Sequence, residues 1–442
     1  MPQPQGTPLA SIPAIVGELR RQWPLWRRLS AAERAARILP LAALFEQQSD
    51  ELARLITNDM GKPIRQSRNE VKRCVEGVRY LCEACPDWIK PEAAPGGIVY
   101  FDPIGVVAVI APWNYPYALP LLVALPALIA GNMVVLKPSE YSLESGAALW
   151  RLFEQTIPGC VSIVLGGREH GEALVRQPDV AMVALTGSSR AGKEVMRVAA
   201  ERLCRVSLEL GGIDAAIVLD DMEPEVAAAA LIAKNCSNAG QICCAAKWAY
   251  VPRGKFEAFV TAYKRLASEI KMGDPLDPTT ELGPLVNMVQ LRSVAALVDN
   301  ACAQGATAEC GGRAAGSFYP PTLLTGITDE MRIVREECFG PVLPLMPYDS
   351  IEQVIERINC HAYGLTASVW TNDKDSAEKI ALQLDVGVVN VNTHGIPPLG
   401  APWGGARESG IGRTRSREGM HEFCNIKYVG VREPPQGREC KL

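Results

Sequence analysis

The sequence predicts an α/β protein built on two open, largely parallel sheets, and three observations carry that expectation. Between residues 104 and 210, short β-branched apolar runs alternate with helix-length segments. A second alternation begins at Asp214, just beyond a glycine pair. From Pro103 to Leu136 there is no charged residue. That is the composition expected of strands apolar on both faces, joined by a buried crossover helix.

In order, residues 13 to 59 read as polar-faced helices, stopped by Gly61-Lys62-Pro63. A further helix runs from Gln66 to about Trp88. The charge-free run is long enough to cross a bilayer, but Pro112, Pro116, Pro120, Pro126 and the pair Gly131-Asn132 divide it. It reads as strand (Ile104 to Ala111), helix (Tyr117 to Ala130) and strand (Met133 to Leu136), a buried β-α-β unit. Strands at Val161 to Leu165, Val180 to Leu185 and Val206 to Leu210 alternate with helices at Gly171 to Arg176 and Gly192 to Arg202. The second unit reads as a strand at Asp214 to Leu219, then helices at Glu223 to Cys236 and Lys255 to Ile270. It closes with a strand at Ala367 to Thr371, a helix at Lys374 to Gln383 and a strand at Val388 to Asn392. The last ten residues are polar and linker-like.

Composition narrows the function. In 442 residues, 48% hydrophobic, 45 basic side chains face 49 acidic ones. This gives no electrostatic case for a nucleic-acid or membrane partner. Fourteen cysteines, from Cys74 to Cys440, occur in a chain too large to need a disulfide framework. The N-terminus shows no basic-then-apolar segment, so a reducing cytoplasm is expected. Cys82 and Cys85 form a lone CxxC without a second pair, so no metal site is expected there, and with Cys74 they read as packing residues.

Several segments can carry chemistry. Asn238-Ala239-Gly240-Gln241-Ile242-Cys243-Cys244 places thiols after a small, flexible turn, and a thiolate is a strong nucleophile toward a carbonyl. The default for any one cysteine is packing. Glu209 stands in the apolar end of a strand, where desolvation raises its pKa toward that of a general base; a salt bridge or cap is the plainer reading. Asn114, on the proline-stiffened turn Pro112-Trp113-Asn114-Tyr115-Pro116 after a strand, is placed to donate to an oxyanion or to serve as an ordinary turn residue. Lys137 and Glu140, at the end of the next strand, suit two ribose hydroxyls, and the carboxylate disfavours a 2′-phosphate. The turn Thr186-Gly187-Ser188-Ser189-Arg190-Ala191-Gly192-Lys193 offers backbone amides to a phosphate. In a P-loop the next residue supplies a magnesium-binding hydroxyl, and here it is Glu194, which weighs against a nucleotide hydrolase.

Together these segments resemble the aldehyde dehydrogenase superfamily over the chain from about residue 13. The matching runs, in order, are Pro112 to Pro116, Lys137-Pro138-Ser139-Glu140, Thr186-Gly187-Ser188 with Gly192, and Leu208-Glu209-Leu210-Gly211-Gly212. Gly240-Gln241-Ile242-Cys243, Glu336-Glu337-Cys338-Phe339-Gly340-Pro341-Val342, and Gly404-Gly405 leading to Ser409-Gly410-Ile411-Gly412-Arg413 follow. The resemblance implies Cys243 as nucleophile, Asn114 with the Cys243 amide as oxyanion donors, and Glu209 as general base. It implies NAD, with NADP possible, held by Trp113, Lys137, Ser139, Glu140, Gly187, Ser188, Glu337 and Phe339. It also implies a Rossmann-like cofactor domain (1–86, 103–209 and 394–424), a catalytic domain (210–393) and a small β arm (87–102 and 425–442) that joins a homodimer or homotetramer. Leu185, Ile213 and Trp403 depart from the usual pattern, as does a short N-terminus without the leading β-hairpin.

For the substrate, a small-molecule aldehyde, Tyr115, Leu121, Leu122, Ile242, Cys244 and Ile396 are the expected lining. That lining has no arginine and suits an aliphatic or aromatic aldehyde. The run His421 to Ile426 resembles a short bacterial succinate-semialdehyde dehydrogenase subgroup, which makes succinate semialdehyde the alternative. A cysteine hydrolase would need one of only four histidines beside the thiol.

Overall fold

The computed structural model describes residues 6–432; the linker-like last ten residues and Cys440 lie outside the described residues. The charge-free run folds as strand Val106–Ile110, helix Ala118–Ala130 and strand Met133–Lys137. The two strands pair in parallel, Val106 opposite Met133. The first starts two residues later than its apolar run because Gly105 takes φ +131°. There the Ile104 and Gly105 amides donate to the Asn132 side chain instead of to a neighbouring strand. No helix among the described residues is long and apolar enough to cross a membrane.

This unit is the middle of a six-stranded sheet ordered Gly410–Ile411, Arg205–Glu209, Val180–Thr186, Val106–Ile110, Met133–Lys137, Val161–Ile163. All neighbours are parallel except the Gly410–Ile411 edge. Strand order reverses between Val106–Ile110 and Val180–Thr186, so the loops leaving those two strands open a crevice at the carboxyl edge. The N-terminal helices read from sequence cover one face. Cys74, Cys82 and Cys85 are buried packing residues of helix Ile64–Trp88.

The second sheet has seven strands, ordered Thr307–Cys310, Thr322–Thr325, Val342–Tyr348, Ala246–Pro252, Asp214–Val218, Thr366–Trp370, Val388–Val391. It is parallel apart from the first pair. Four of these strands escaped the sequence reading. Val342–Tyr348 carries Pro344 and Pro347, which argue against a central strand. It tolerates them because its first half pairs with Thr322–Leu324 and its second half with Ala249–Pro252. A third, antiparallel sheet joins Glu92–Ala94, Gly97–Pro103 and Cys424–Gly430.

Candidate active site

The chain crosses from the first sheet to the second between Glu209 and Asp214, and the site is built around that crossing. A Cβ on Gly211 would lie 2.3 Å from a carboxylate oxygen of Glu337, so a larger residue there would push that carboxylate from its place. The Gly212 amide donates to the same carboxylate at 3.3 Å. Glu209 is 7% exposed, and its Oε1 is buried without a hydrogen-bond partner. Burial pushes its pKa well up, the Cys243 sulfur adds to the rise, and Arg413, Arg415 and the Trp403 side chain oppose it.

Cys243 lies in the loop before strand Ala246–Pro252. Asn238, Ala239 and Gly240 take φ of 51°, 53° and 71°, three successive left-handed residues. They press Gly240 against the Gly340 carbonyl, where a Cβ would stand 2.1 Å from the oxygen. The side chains of this turn are committed to holding it. Asn238 Nδ2 donates to the carbonyls of Asn114 and Gln241, and Gln241 Nε2 donates back to the Asn238 carbonyl. Cys243 itself is half-buried, and Cys244 is buried. A hydrogen bond with the Cys244 thiol, then burial, raises the Cys243 pKa well above the ordinary thiol value, with Glu337 and Asp214 adding to the shift.

Asn114 reaches this loop from the other sheet. Its Nδ2 donates to the Gln241 carbonyl at 3.0 Å, and its Oδ1 is buried without a partner. Two residues that sequence reasoning missed fix it in place. Lys62, read only as part of a helix stop, donates to the Asn114 carbonyl at 2.7 Å and to the Glu70 carboxylate. Glu70 also accepts from the Tyr117 and Ala118 amides at the start of the next helix. Lys62 lies 3.8 Å from the centre of the Tyr115 ring. Both charged side chains are buried. The available signal was Glu70 standing on the apolar stripe of its helix, among Ser67, Val71 and Cys74.

The expected cofactor residues fall in two groups. Lys137 ends its strand, buried, with its amine 3.7 Å from the exposed Glu140. Ser139 accepts from the Tyr141 amide. Ser188 caps helix Ser189–Ala200 by accepting from the Ala191 amide, and the Gly187 amide donates to the Glu209 carbonyl. The helix therefore starts three residues earlier than its apolar pattern suggested, with its N-terminus at the sheet's carboxyl edge. The other group clusters at the thiol loop. Lys247 donates to the Ile242 carbonyl and to Glu337 and sits 5.0 Å from the Phe339 ring centre; the Trp113 and Phe339 rings meet edge to face.

The residues expected to line the substrate site fall in different surroundings. Tyr115 and Ile242 are half-buried beside the thiol loop, and Cys244 is buried there. Leu121 is fully enclosed in the core of the first unit, and Ile396 is 42% exposed. Leu122 is half-buried and packs toward helix Ile64–Trp88, where Gly77 leaves room for it. Three histidines are engaged away from the thiol loop: His170 with Thr7, His361 with Val334 and His421 with Trp88. His394 meets the Ser368 hydroxyl through Nδ1 and packs beside the backbone of Cys244 and Ala245, where burial pulls its pKa down to about 4. Glu194 forms ion pairs with Arg168 and Arg197.

A thiol-bearing loop from one α/β sheet thus meets an amide and a carboxyl from the edge of another, beside a helix N-terminus suited to phosphate. That defines a two-domain enzyme of the dinucleotide-dependent kind. The sequence model of the Aldehyde dehydrogenase family matches residues 7–429. The chain is 36% identical over 429 residues to a succinate-semialdehyde dehydrogenase [NADP(+)] of Deinococcus radiodurans, covering 95% of this chain and 90% of that protein. It is 35% identical over 439 residues to a betaine aldehyde dehydrogenase of Cereibacter sphaeroides, covering 97% and 90%. The solved NAD-dependent aldehyde dehydrogenase of Sinorhizobium meliloti superposes with a TM-score of 0.94 at 30% identity, covering 98% of this chain and 90% of that one. A betaine aldehyde dehydrogenase of Staphylococcus aureus in complex with NAD+ gives 0.92 at 30%, covering 96% and 89%. The chain belongs to the aldehyde dehydrogenase family and is an oxidoreductase for which NAD or NADP fits as cofactor.

Removing one partner of the buried Lys62–Glu70 pair strands the other charge in the interior. Glu70→Gln should therefore lower the unfolding free energy by about 3 to 5 kcal/mol. Denaturant melts check this against Asp349→Asn, which breaks an exposed pair with Arg253 and should change little.

Proposed function

We propose that the protein oxidises an aldehyde to its carboxylic acid through a covalent bond to Cys243. The observation that carries this is the convergence of Cys243, Glu209 and the Asn114 amide, drawn from two sheets, on one site. The Cys243 thiolate adds to the carbonyl carbon. Asn114 Nδ2 has a second hydrogen beyond the one given to Gln241, and it and the Cys243 amide donate to the oxygen as it becomes an anion. One such donor is worth roughly 3 to 4 kcal/mol of barrier. A nicotinamide held by Glu337 and Phe339 would supply the acceptor for the hydride, and the acyl group would then remain on the Cys243 sulfur as a thioester. Glu209 then takes a proton from water, and the resulting hydroxide releases the acid and the thiol. A carboxylate able to activate water favours hydrolysis over transfer of the acyl group to another thiol.

The same reading assigns residues 1–86, 103–209 and 394–424 to the cofactor domain and 210–393 to the catalytic domain. Lys137 and Glu140 hold the adenosine ribose with Ser139 beside them, and Trp113, edge to face with Phe339, stands toward the nicotinamide end. Gly187 and Ser188 face the pyrophosphate at the helix N-terminus, and Glu337 and Phe339 position the nicotinamide end. The segments 87–102 and 425–432 form an oligomerisation arm; the rest of the expected arm, 433–442, lies outside the described residues. Ile426, Tyr428 and Val431 at its described edge are exposed, which supports a homodimer or homotetramer.

Two outcomes test this. Glu209→Gln should give one burst of NADH and slow later turnovers. Because burial raises the Glu209 pKa, the wild-type steady-state rate should climb from acid to alkaline pH, and the variant should lose that limb; an unchanged rate and profile would remove Glu209 from the base role. Glu140 accounts for a preference for NAD, so Glu140→Gln should raise kcat/KM for NADP relative to NAD, read by absorbance of the reduced cofactor. A wild type already faster with NADP would contradict it.

A further inference from the structure

The expected lining of the substrate site contained no arginine, yet two stand near it with no ion pair among the described residues. Arg415 follows the Gly404-Gly405 to Arg413 motif and has φ +67°, the left-handed region that a residue with a side chain rarely adopts. The conformation is imposed by paired backbone on both sides. The Arg415 carbonyl accepts from the Gly400 amide at 3.0 Å, and Thr414 and Trp403 exchange two hydrogen bonds. Arg415 Nε is buried with no hydrogen-bond partner, and the side chain forms no ion pair among the described residues. Arg415 is half-buried, and its Nε, shut off from water without a partner, carries an uncompensated hydrogen bond. Its charge acts on Cys244 and Glu209 and is opposed by Arg73; burial and that repulsion pull its pKa down to about 10.

Arg73 belongs to helix Ile64–Trp88, is exposed, and likewise forms no hydrogen bond or ion pair among the described residues. Tyr80, two turns further along, reaches the loop that holds Arg415: a Cβ on Gly400 would stand 2.2 Å from its hydroxyl. Gly77, between them, lets Leu122 of the neighbouring helix come close. The charge of Arg73 is felt at Tyr115, as are Cys243 and Cys244. Two like charges thus act on each other near Tyr115 and the thiol pair, and neither forms a hydrogen bond or ion pair among the described residues, Glu209 acting on Arg415 only from a distance.

We propose that Arg415, with Arg73 beside it, binds a carboxylate at the far end of the substrate, so that the enzyme acts on an aldehyde that also carries an acid group. This rests on the reading of Cys243 as the nucleophile. Arginine is suited to the task because Nε and one terminal nitrogen present two parallel donors that match the two oxygens of a carboxylate. Bound at that end, the substrate places its aldehyde toward Cys243. The carboxylate also supplies the hydrogen bond that the buried Nε lacks.

The test compares kcat/KM for succinate semialdehyde with that for pentanal, a neutral aldehyde of similar length. The wild type should prefer the semialdehyde roughly 10- to 100-fold, the range for hydrogen bonds to a charged group, with the preference narrowing as salt is raised. Arg415→Gln should erase most of that preference through KM, and Arg415→Lys should restore part of it. Should Arg415→Gln not fold, Arg73→Gln at an exposed helix position should lower the same ratio several-fold. An equal kcat/KM for the two aldehydes in the wild type, an unchanged ratio in the variants, or a higher kcat/KM for glyceraldehyde 3-phosphate would overturn the proposal. Oxidation of pentanal without preference removes this proposal alone. Oxidation of neither aldehyde removes the Cys243 reading with it.

Discussion

A single hydrogen bond, from the Asn114 amide to the Gln241 carbonyl at 3.0 Å, ties the carboxyl edge of one sheet to the thiol loop of the other across 127 residues of chain. Around it, Lys62 and Asn238 both donate to the Asn114 carbonyl. Since Asn114 is held at both ends of its residue, its remaining N–H has a fixed direction. A donor that need not reorient during reaction is what makes such a site effective. The fold supplies the same rigidity on the facing side, where three left-handed residues and the close pass of Gly240 by Gly340 fix the approach of the loop to Cys243.

The electrostatics of the resting site follow from burial. Cys243 and Glu209 are both acids driven toward their neutral forms, so no isolated negative charge is buried in the free protein. In the proposed reaction each must first lose its proton to solvent, the thiol before it attacks and the carboxyl before it can take a proton from water. Neighbouring cations have separate assignments. Lys247 serves Glu337 and the Ile242 carbonyl, and Lys62 serves Glu70 and Asn114. Arg415 is left with no such partner, which is why it stands out.

Much of this was legible in the sequence because the chemistry lies in contiguous runs: the turn holding Asn114, the strand end at Glu209 and the loop at Cys243 are each local. The β-α-β unit was legible for a similar reason, since a charge-free stretch broken by prolines has few other folds. What stayed hidden depends on tertiary meeting. Lys62 and Glu70 are eight residues apart, and nothing local says that both turn inward to hold a loop fifty residues away. Helix Ala118–Ala130 is apolar all round, so its sequence does not say that Leu121 turns into the core. The arginines were missed because Arg73 reads as an ordinary surface residue of a polar-faced helix. Arg415 is brought to Cys244 only by the return of the chain past residue 400.

The central claim is that the carbonyl carbon becomes bonded to the Cys243 sulfur. Peptide mass spectrometry on Glu209→Gln, quenched after mixing with NAD and an oxidisable aldehyde, tests this directly by locating the trapped acyl group. The account predicts the acyl mass increment on Cys243 and on no other cysteine. An increment on Cys244, or reduced cofactor formed with every thiol unmodified, would contradict it.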